Sequence, residues 1–213
     1  MKSVGGAMAG EGQGLMAEGA LALASSRAES LAEASLEALM EQYVVGSASA
    51  FDEIYRRTSG RVFGYLLRLT RHRERAEDLL QITYAKVHRA RESYLLGAPL
   101  MPWVFAIARR SFLDERRSAR SRNEDLSRDG QLPEPTQAPP EHLPTDTVAA
   151  LEHAMNRLPE NYREAIELTK VSGLSIAEAA EVLGTSQTAV KLRVHRGYLQ
   201  LRKALAEFSR EAP

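Results

Sequence analysis

The side chains best suited to chemistry in this chain are cationic, and the chemistry they suit is recognition of phosphates and bases. Lys191, Arg193, His195 and Arg196 lie close together, with Leu192 among them. Arg109, Arg110, Arg116 and Arg117 form a second cluster, followed by Arg120 and Arg122. Guanidinium and ammonium groups donate to phosphate oxygens and to guanine edges in the major groove. Carboxylate pairs occur at Glu77-Asp78 and Asp114-Glu115. Each stands beside arginine on what should be an exposed helical face, where ion pairing or partner contact explains it better than acid–base catalysis. His72, His88, His142, His153 and His195 lie in unrelated contexts, and there is no cysteine. The chain lacks a G-x-x-x-x-G-K loop, a G-x-G-x-x-G turn after a strand and an H-E-x-x-H helix. Catalysis, metal binding and a cofactor are therefore not expected.

The elements that must position the first cluster are readable around it. Ser175 followed by Glu178 is a capping box that starts a helix. Ala177, Ala180, Val182 and Leu183 give that helix an apolar side, and Gly184 ends it in a left-handed turn. Ser186 then caps a second helix, whose Val190 and Val194 point inward at i, i+4. Lys191, Arg193 and Arg196 fall mostly on its outer side. A short helix, a glycine turn and a basic second helix suit the DNA major groove. An ordinary helical hairpin with a solvated basic face is the alternative.

The second cluster needs a helix and a loop. Ser49 is the expected cap of a helix bearing Phe51, Ile54, Tyr55, Val62 and Leu66. A further helix is expected from about Arg73 to Arg91. Leu79, Leu80, Ile82, Tyr84 and Val87 are its apolar positions, and Glu77, Asp78, Gln81 and Lys86 its outer ones. Ser93 to Pro99 reads as a loop. Pro102 fits the first turn of the arginine-bearing helix, which would bury Ile107 and use Trp103 more as a core anchor than as a base-stacking surface. A basic helix beside a loop could hold single-stranded DNA by its phosphates while the loop takes an unstacked base.

Composition sets the frame. Leu, Ala, Glu and Arg dominate, alternation of β-branched residues is scarce, and no apolar run approaches the ~20 residues that cross a bilayer. The expected fold is all-α, with two small helical domains on a flexible linker. A formal net charge of zero hides an asymmetry: residues 1–40 carry −3, 41–122 carry +7, 123–147 carry −5 and 148–213 carry +1. Residues 1–40 should be a flexible Ala/Gly-rich extension, with an amphipathic lead-in helix beginning at Ser30 and carrying Leu31, Leu36, Leu39, Met40 and Tyr43. Residues 41–122 should be the first domain, and the acidic, proline-rich 123–147 an extended tether. Residues 148–213 should be the second domain. An electropositive body of this kind attracts nucleic acid through counterion release.

These motifs together resemble the extracytoplasmic-function sigma factors, group IV of the bacterial sigma-70 family. Ala76-Glu77-Asp78-Leu79-Leu80-Gln81, continuing to Arg89, resembles the family's polymerase-binding helix. Pro102-Trp103-Val104-Phe105-Ala106-Ile107-Ala108-Arg109-Arg110, then Asp114-Glu115-Arg116-Arg117, resembles the helix that reads the −10 promoter element. Leu158-Pro159-Glu160-Asn161-Tyr162-Arg163-Glu164-Ala165, leading into the helix-turn-helix, resembles the domain that reads the −35 element. The three matches span residues from about 45 to 208 in the family's order.

The resemblance implies a sigma-2-like bundle, a sigma-4-like helix-turn-helix and a role in promoter recognition without bond chemistry. Asp78, Leu79, Leu80, Gln81, Lys86 and Val87 would serve binding to core RNA polymerase, at the clamp of the largest subunit; the flap region is a second implied contact. Tyr94, Leu95, Trp103, Arg109, Arg110, Arg116 and Arg117 would serve the −10 element. Ser186, Gln187, Thr188, Lys191, Leu192, Arg193, His195 and Arg196 would serve the −35 element. The acidic linker would thread the RNA exit path, and an anti-sigma factor would hold the protein inactive. The implied location is the cytoplasm, with tethering to the inner membrane through that antagonist. The chain departs from the family's pattern at Ile82, Arg110 and Leu192. Leu192 offers an apolar surface where a hydroxyl is usual, so an unusual −35 preference is expected. Residues 1–40 are expected to be idle or weakly regulatory. A polymerase-independent DNA-binding regulator and an interaction protein without promoter activity remain alternatives.

Overall fold

The computed structural model describes residues 30–128 and 147–211, and every regular element among them is helical. Residues 30–33 are helical, and the expected lead-in helix then breaks. The Ser35 hydroxyl accepts the Ala38 N–H at 3.1 Å and starts a new helix, α1 (Leu36–Val44). A side-chain cap satisfies amides that have no intrahelical partner, so the serine fixes the break. Gly46 turns the chain at φ +105°. Ser47, not the expected Ser49, then caps α2 (Ala48–Thr70) by accepting the Ala50 N–H at 3.3 Å. Ser49 already lies in the first turn of that helix.

The α2 helix buries Ala50, Ile54, Thr58, Val62, Tyr65 and Leu66, a stripe of helical period. It is followed by α3 (Arg73–Ala90), a 3-10 turn at Arg91–Ser93 and the long α4 (Leu100–Arg128). Pro102 sits in the first turn of α4, as its fixed φ favours. The helix runs on through residues 123–128, where an extended tether was expected. Residues 129–146, the rest of that tether, lie outside the described residues, as does the extension up to residue 29.

The C-terminal helices are α5 (Thr147–Arg157), α6 (Glu160–Ile166), α7 (Ile176–Leu183) and α8 (Gln187–Glu211). Between α6 and α7 the chain widens into a π-helical turn, Glu167–Val171. Ala154, Leu158, Ile166 and Leu201 form a buried cluster, with Met155, Ala204 and Leu205 packed on it.

By packing, the chain divides into two units. Among the described residues, one comprises residues 30–57 together with Glu92–Ala98; the other comprises Thr58–Arg91, residues 99–128 and residues 147–211. The first is pinned by Arg57, whose guanidinium donates to the carbonyls of Leu31, Ala32 and Ala34 at 2.6, 2.6 and 2.7 Å. Glu53 orients that guanidinium at 2.5 Å, and Tyr43 stacks on Phe51 with centroids 4.8 Å apart. In the second unit, Thr58 pairs with the Tyr84 hydroxyl at 2.6 Å, Arg75 forks onto Glu115, and Lys86 meets Asp114. There α4 packs along both α3 and α7.

Candidate nucleic-acid interface

The helix-turn-helix forms as its residues dictate. Ser175 and Glu178 make a reciprocal capping box, and Gly184 adopts φ 60°, ψ 44°. The Ser186 hydroxyl accepts the Ala189 N–H and starts α8. Val190 and Val194 are buried beneath that helix. Ser186, Gln187, Thr188, Lys191, Leu192, His195 and Arg196 are exposed, and Arg193 is half-buried. Leu192 is 46% exposed, an apolar patch inside a basic face. The amides of the first turn of α8 point toward that same end, where backbone donors favour anions.

The loop before α4 is held from within. Tyr94 is 6% exposed, and its hydroxyl donates to the Ala98 carbonyl. Burial, with the charges of Glu37 and Glu41, pushes that hydroxyl up to about 12, so it stays a donor at neutral pH. Gly97 at φ +78° and a hydrogen bond donated by the Ala98 N–H to the Leu95 carbonyl at 3.0 Å close the turn. Leu95 is consequently turned outward, 76% exposed, with Leu96 beside it. Tyr94 thus shapes the loop, and Leu95 is its accessible apolar tip.

On α4, Trp103 is half-buried, while Arg110 and Arg117 are exposed. Arg109 and Arg116 are engaged. Arg109 donates to both oxygens of Glu164, at 2.8 and 3.4 Å, and the buried Tyr65 hydroxyl donates to the same carboxylate at 2.8 Å. Burial, then the Glu164 charge, raises the Tyr65 hydroxyl well above its ordinary range and keeps it protonated. Burial opposes the charge of Arg109, but the Glu164 carboxylate outweighs it and holds the guanidinium above its usual value. Arg116 meets Glu160 and also covers the Phe112 ring at 5.5 Å.

On α3, Asp78, Gln81 and Ile82 share an exposed face and Leu80 is half-buried beside them. Ile82, expected among the apolar positions, is 44% exposed. Leu79 and Val87 are fully in the core, beneath that face, and Lys86 is tied to Asp114.

Glu164 and Glu167 were not singled out from the sequence. Two acids three residues apart in the run Glu164-Ala165-Ile166-Glu167-Leu168 were the available signal, because buried acids require partners. Glu167 pairs with Arg68. Burial raises its carboxyl despite Arg68 and Arg163.

Comparison with known proteins assigns these elements to a family. The Sigma-70 region 2 profile matches residues 54–122, and the Sigma-70, region 4 profile matches residues 149–201. The chain is 36% identical to RNA polymerase sigma factor CarQ of Myxococcus xanthus over 81% of its own length and 98% of CarQ. It belongs to the sigma-70 family of sigma factors. It is also 35% identical to the ECF RNA polymerase sigma factor SigE of Mycolicibacterium smegmatis, over 76% of this chain and 64% of SigE. Among solved structures, sigma factor RpoE of Bartonella quintana, crystallised with the anti-sigma factor NepR, superposes with a TM-score of 0.61. The identity is 28%, over 73% of this sigma factor and 96% of RpoE. Region 2 thus contains α3, the Tyr94 loop and most of α4, and region 4 contains the helix-turn-helix. Among the described residues of the sigma factor, no helix is long and apolar enough to cross a membrane.

Proposed function

We propose that this protein is a sigma factor of the extracytoplasmic-function type that binds core RNA polymerase, reads −10 and −35 promoter elements and supports promoter opening. The carrying observation is one chain with region 2 and region 4 in order and an exposed basic face on the second helix of the helix-turn-helix. The domain scheme that goes with this reading is region 2 over 41–122, prolonged by α4 to Arg128, then a tether, and region 4 from the start of α5 at Thr147.

In this reading, Asp78, Gln81 and Leu80 meet the polymerase clamp, with Leu79 and Val87 packed beneath them and Lys86 at the edge. Leu95 touches a base turned out of the −10 strand, on a loop shaped by Tyr94, and Trp103 serves the same element. Arg109, Arg110, Arg116 and Arg117 hold the backbone. Unstacking a base costs a few kcal/mol, which binding offsets without a bond being made. Lys191, Leu192, His195 and Arg196, with Arg193 at the edge, approach the −35 major groove, while Ser186, Gln187 and Thr188 take phosphates. The flap region is a further polymerase contact of region 4. The acidic tether follows the RNA exit path. An anti-sigma factor controls the protein, in keeping with the NepR complex of the similar RpoE. The site of action is the cytoplasm, with the inner membrane as the place where such an antagonist would hold it.

Run-off transcription with purified core polymerase tests this directly. Discrete starts that require the protein, on genomic fragments from its own source, are the expected result. Binding to core without any specific start, or DNA binding without core binding, would overturn it.

A further inference from the structure

We propose that the tip of the loop before α4 takes thymine, choosing it by the C5 methyl group through Leu95 and Leu96. The inference deepens the promoter-binding reading and rests on it, since that reading is what brings an unstacked base to the loop.

The turn commits its polar groups to itself. The Ala98 N–H donates to the Leu95 carbonyl, and the Ala98 carbonyl accepts the Tyr94 hydroxyl. Burial, then the charges of Glu37 and Glu41, keep that hydroxyl protonated, so it serves the turn from inside. Beyond Tyr94 the tip has no side chain that can hydrogen-bond: Leu95, Leu96, Gly97, Ala98 and Pro99 carry only hydrocarbon. Glu92 and Ser93 stand in the 3-10 turn before the loop, not on its tip. Leu95 and Leu96 are 76% and 57% exposed. A Cβ at Gly97 would meet nothing within 4 Å, so the tip faces open space.

Such a tip offers no cation to a phosphate and no side-chain hydrogen bond to a base edge. It offers methyl groups, on a turn whose shape is set before binding, so little ordering entropy is left to lose. The four bases differ in what they can bring to it. On the edge that the major groove displays, cytosine and adenine present an amino donor and guanine presents two acceptors. Thymine presents one acceptor beside a methyl. Setting an amino or carbonyl group against two leucines strips it of water without giving it a partner, which is unfavourable. Setting a methyl there removes apolar surface from water, which is favourable. Thymine brings the methyl and the least polar edge together.

The test uses the full chain bound to core polymerase, on a promoter found by run-off transcription. Each non-template position of the −10 element is made in turn thymine, deoxyuridine, cytosine and 5-methylcytosine, and open-complex formation is titrated. At one position thymine should exceed deoxyuridine, and 5-methylcytosine should exceed cytosine, each by about fourfold, the worth of one buried methyl. Leu95→Ala with Leu96→Ala, both at exposed positions, should erase both differences. The control Val45→Ala, which removes an exposed apolar side chain elsewhere, should preserve them. No methyl effect at any −10 position, or an effect that survives the double substitution, would overturn methyl selection while the promoter-binding reading stands. Absence of any protein-dependent start would overturn that reading, and this inference with it.

Discussion

Gly197 of α8 lies directly against Ile166 of α6: a Cβ at position 197 would fall 2.6 Å from Ile166 Cδ1 and 3.4 Å from Tyr162 Cβ. The absent side chain is what lets the two helices approach, and Ile166 is buried in the cluster with Ala154 and Leu201. Gly60 in α2 is the opposite case, because a Cβ there would meet nothing within 4 Å. Alanine gains about 1 kcal/mol over glycine in a helix interior, whereas overpacking a core costs roughly 1–3 kcal/mol. Gly60→Ala should therefore raise stability by about 0.5–1 kcal/mol. Gly197→Val should lower it by about 2 kcal/mol or more. Urea melts of both variants check the opposite signs.

The Glu53–Arg57 pair should make the N-terminal unit acid-sensitive. Hydrogen bonds from Arg56 and Arg57 lower the Glu53 carboxyl from 4.5 to about 2. A carboxylate lowered on folding stabilises fully above its unfolded value and loses that contribution as pH falls through the folded one. The gap between wild type and Glu53→Gln should be largest above pH 4.5, narrow from there towards 2, and vanish below. Denaturation across that range measures it.

Because Arg57 takes its acceptors from Leu31, Ala32 and Ala34, a truncation before residue 30 should spare this unit. One that removes residues 1–38 also takes the Ser35 cap. The shorter truncation should keep transcription, and the longer should lose thermal stability; paired melts and run-off assays separate the two.

Leu192→Ser should change which base is preferred at one −35 position. An exposed leucine can pack on a thymine methyl, and losing one such contact is worth about 1 kcal/mol, or roughly fivefold. Scanning −35 variants against both proteins is the check, and identical preferences would reject the assignment.

Arg117→Ala should act differently, because an exposed guanidinium meeting a phosphate carries no sequence information. Affinity for promoter fragments should fall by a similar factor across sequences, and the salt slope should drop by about 1.

The helix-turn-helix was fully legible because its signals are local: a cap, a glycine and valines at helical spacing. The all-α class and the approximate span of α3 were legible for the same reason. The break at Ser35, the cap at Ser47 and the run of α4 to Arg128 depend on competition between neighbouring signals, which pattern alone does not rank. The partners of Glu164 were not legible at all. Tyr65 and Arg109 lie far from it in sequence, and no periodicity couples them. The burial of Tyr94 is not legible either, since a tyrosine beside two leucines in a loop reads equally as tip or as anchor.

The length of α4 sets an arithmetic for the tether. A rod of 29 residues at ~1.5 Å each carries the chain about 44 Å from the loop end of the helix. From Arg128 to Thr147 the backbone can span at most about 68 Å, at up to ~3.6 Å per residue. On the promoter-binding reading proposed above, the elements lie about 25 base pairs apart, or roughly 85 Å of duplex at ~3.4 Å per pair; rod and chain together only modestly exceed that, so the reach has little slack. Shortening the segment between residues 128 and 147 should thus act as a ruler: small deletions should be tolerated, and beyond a threshold the spacing preferred between promoter elements should contract.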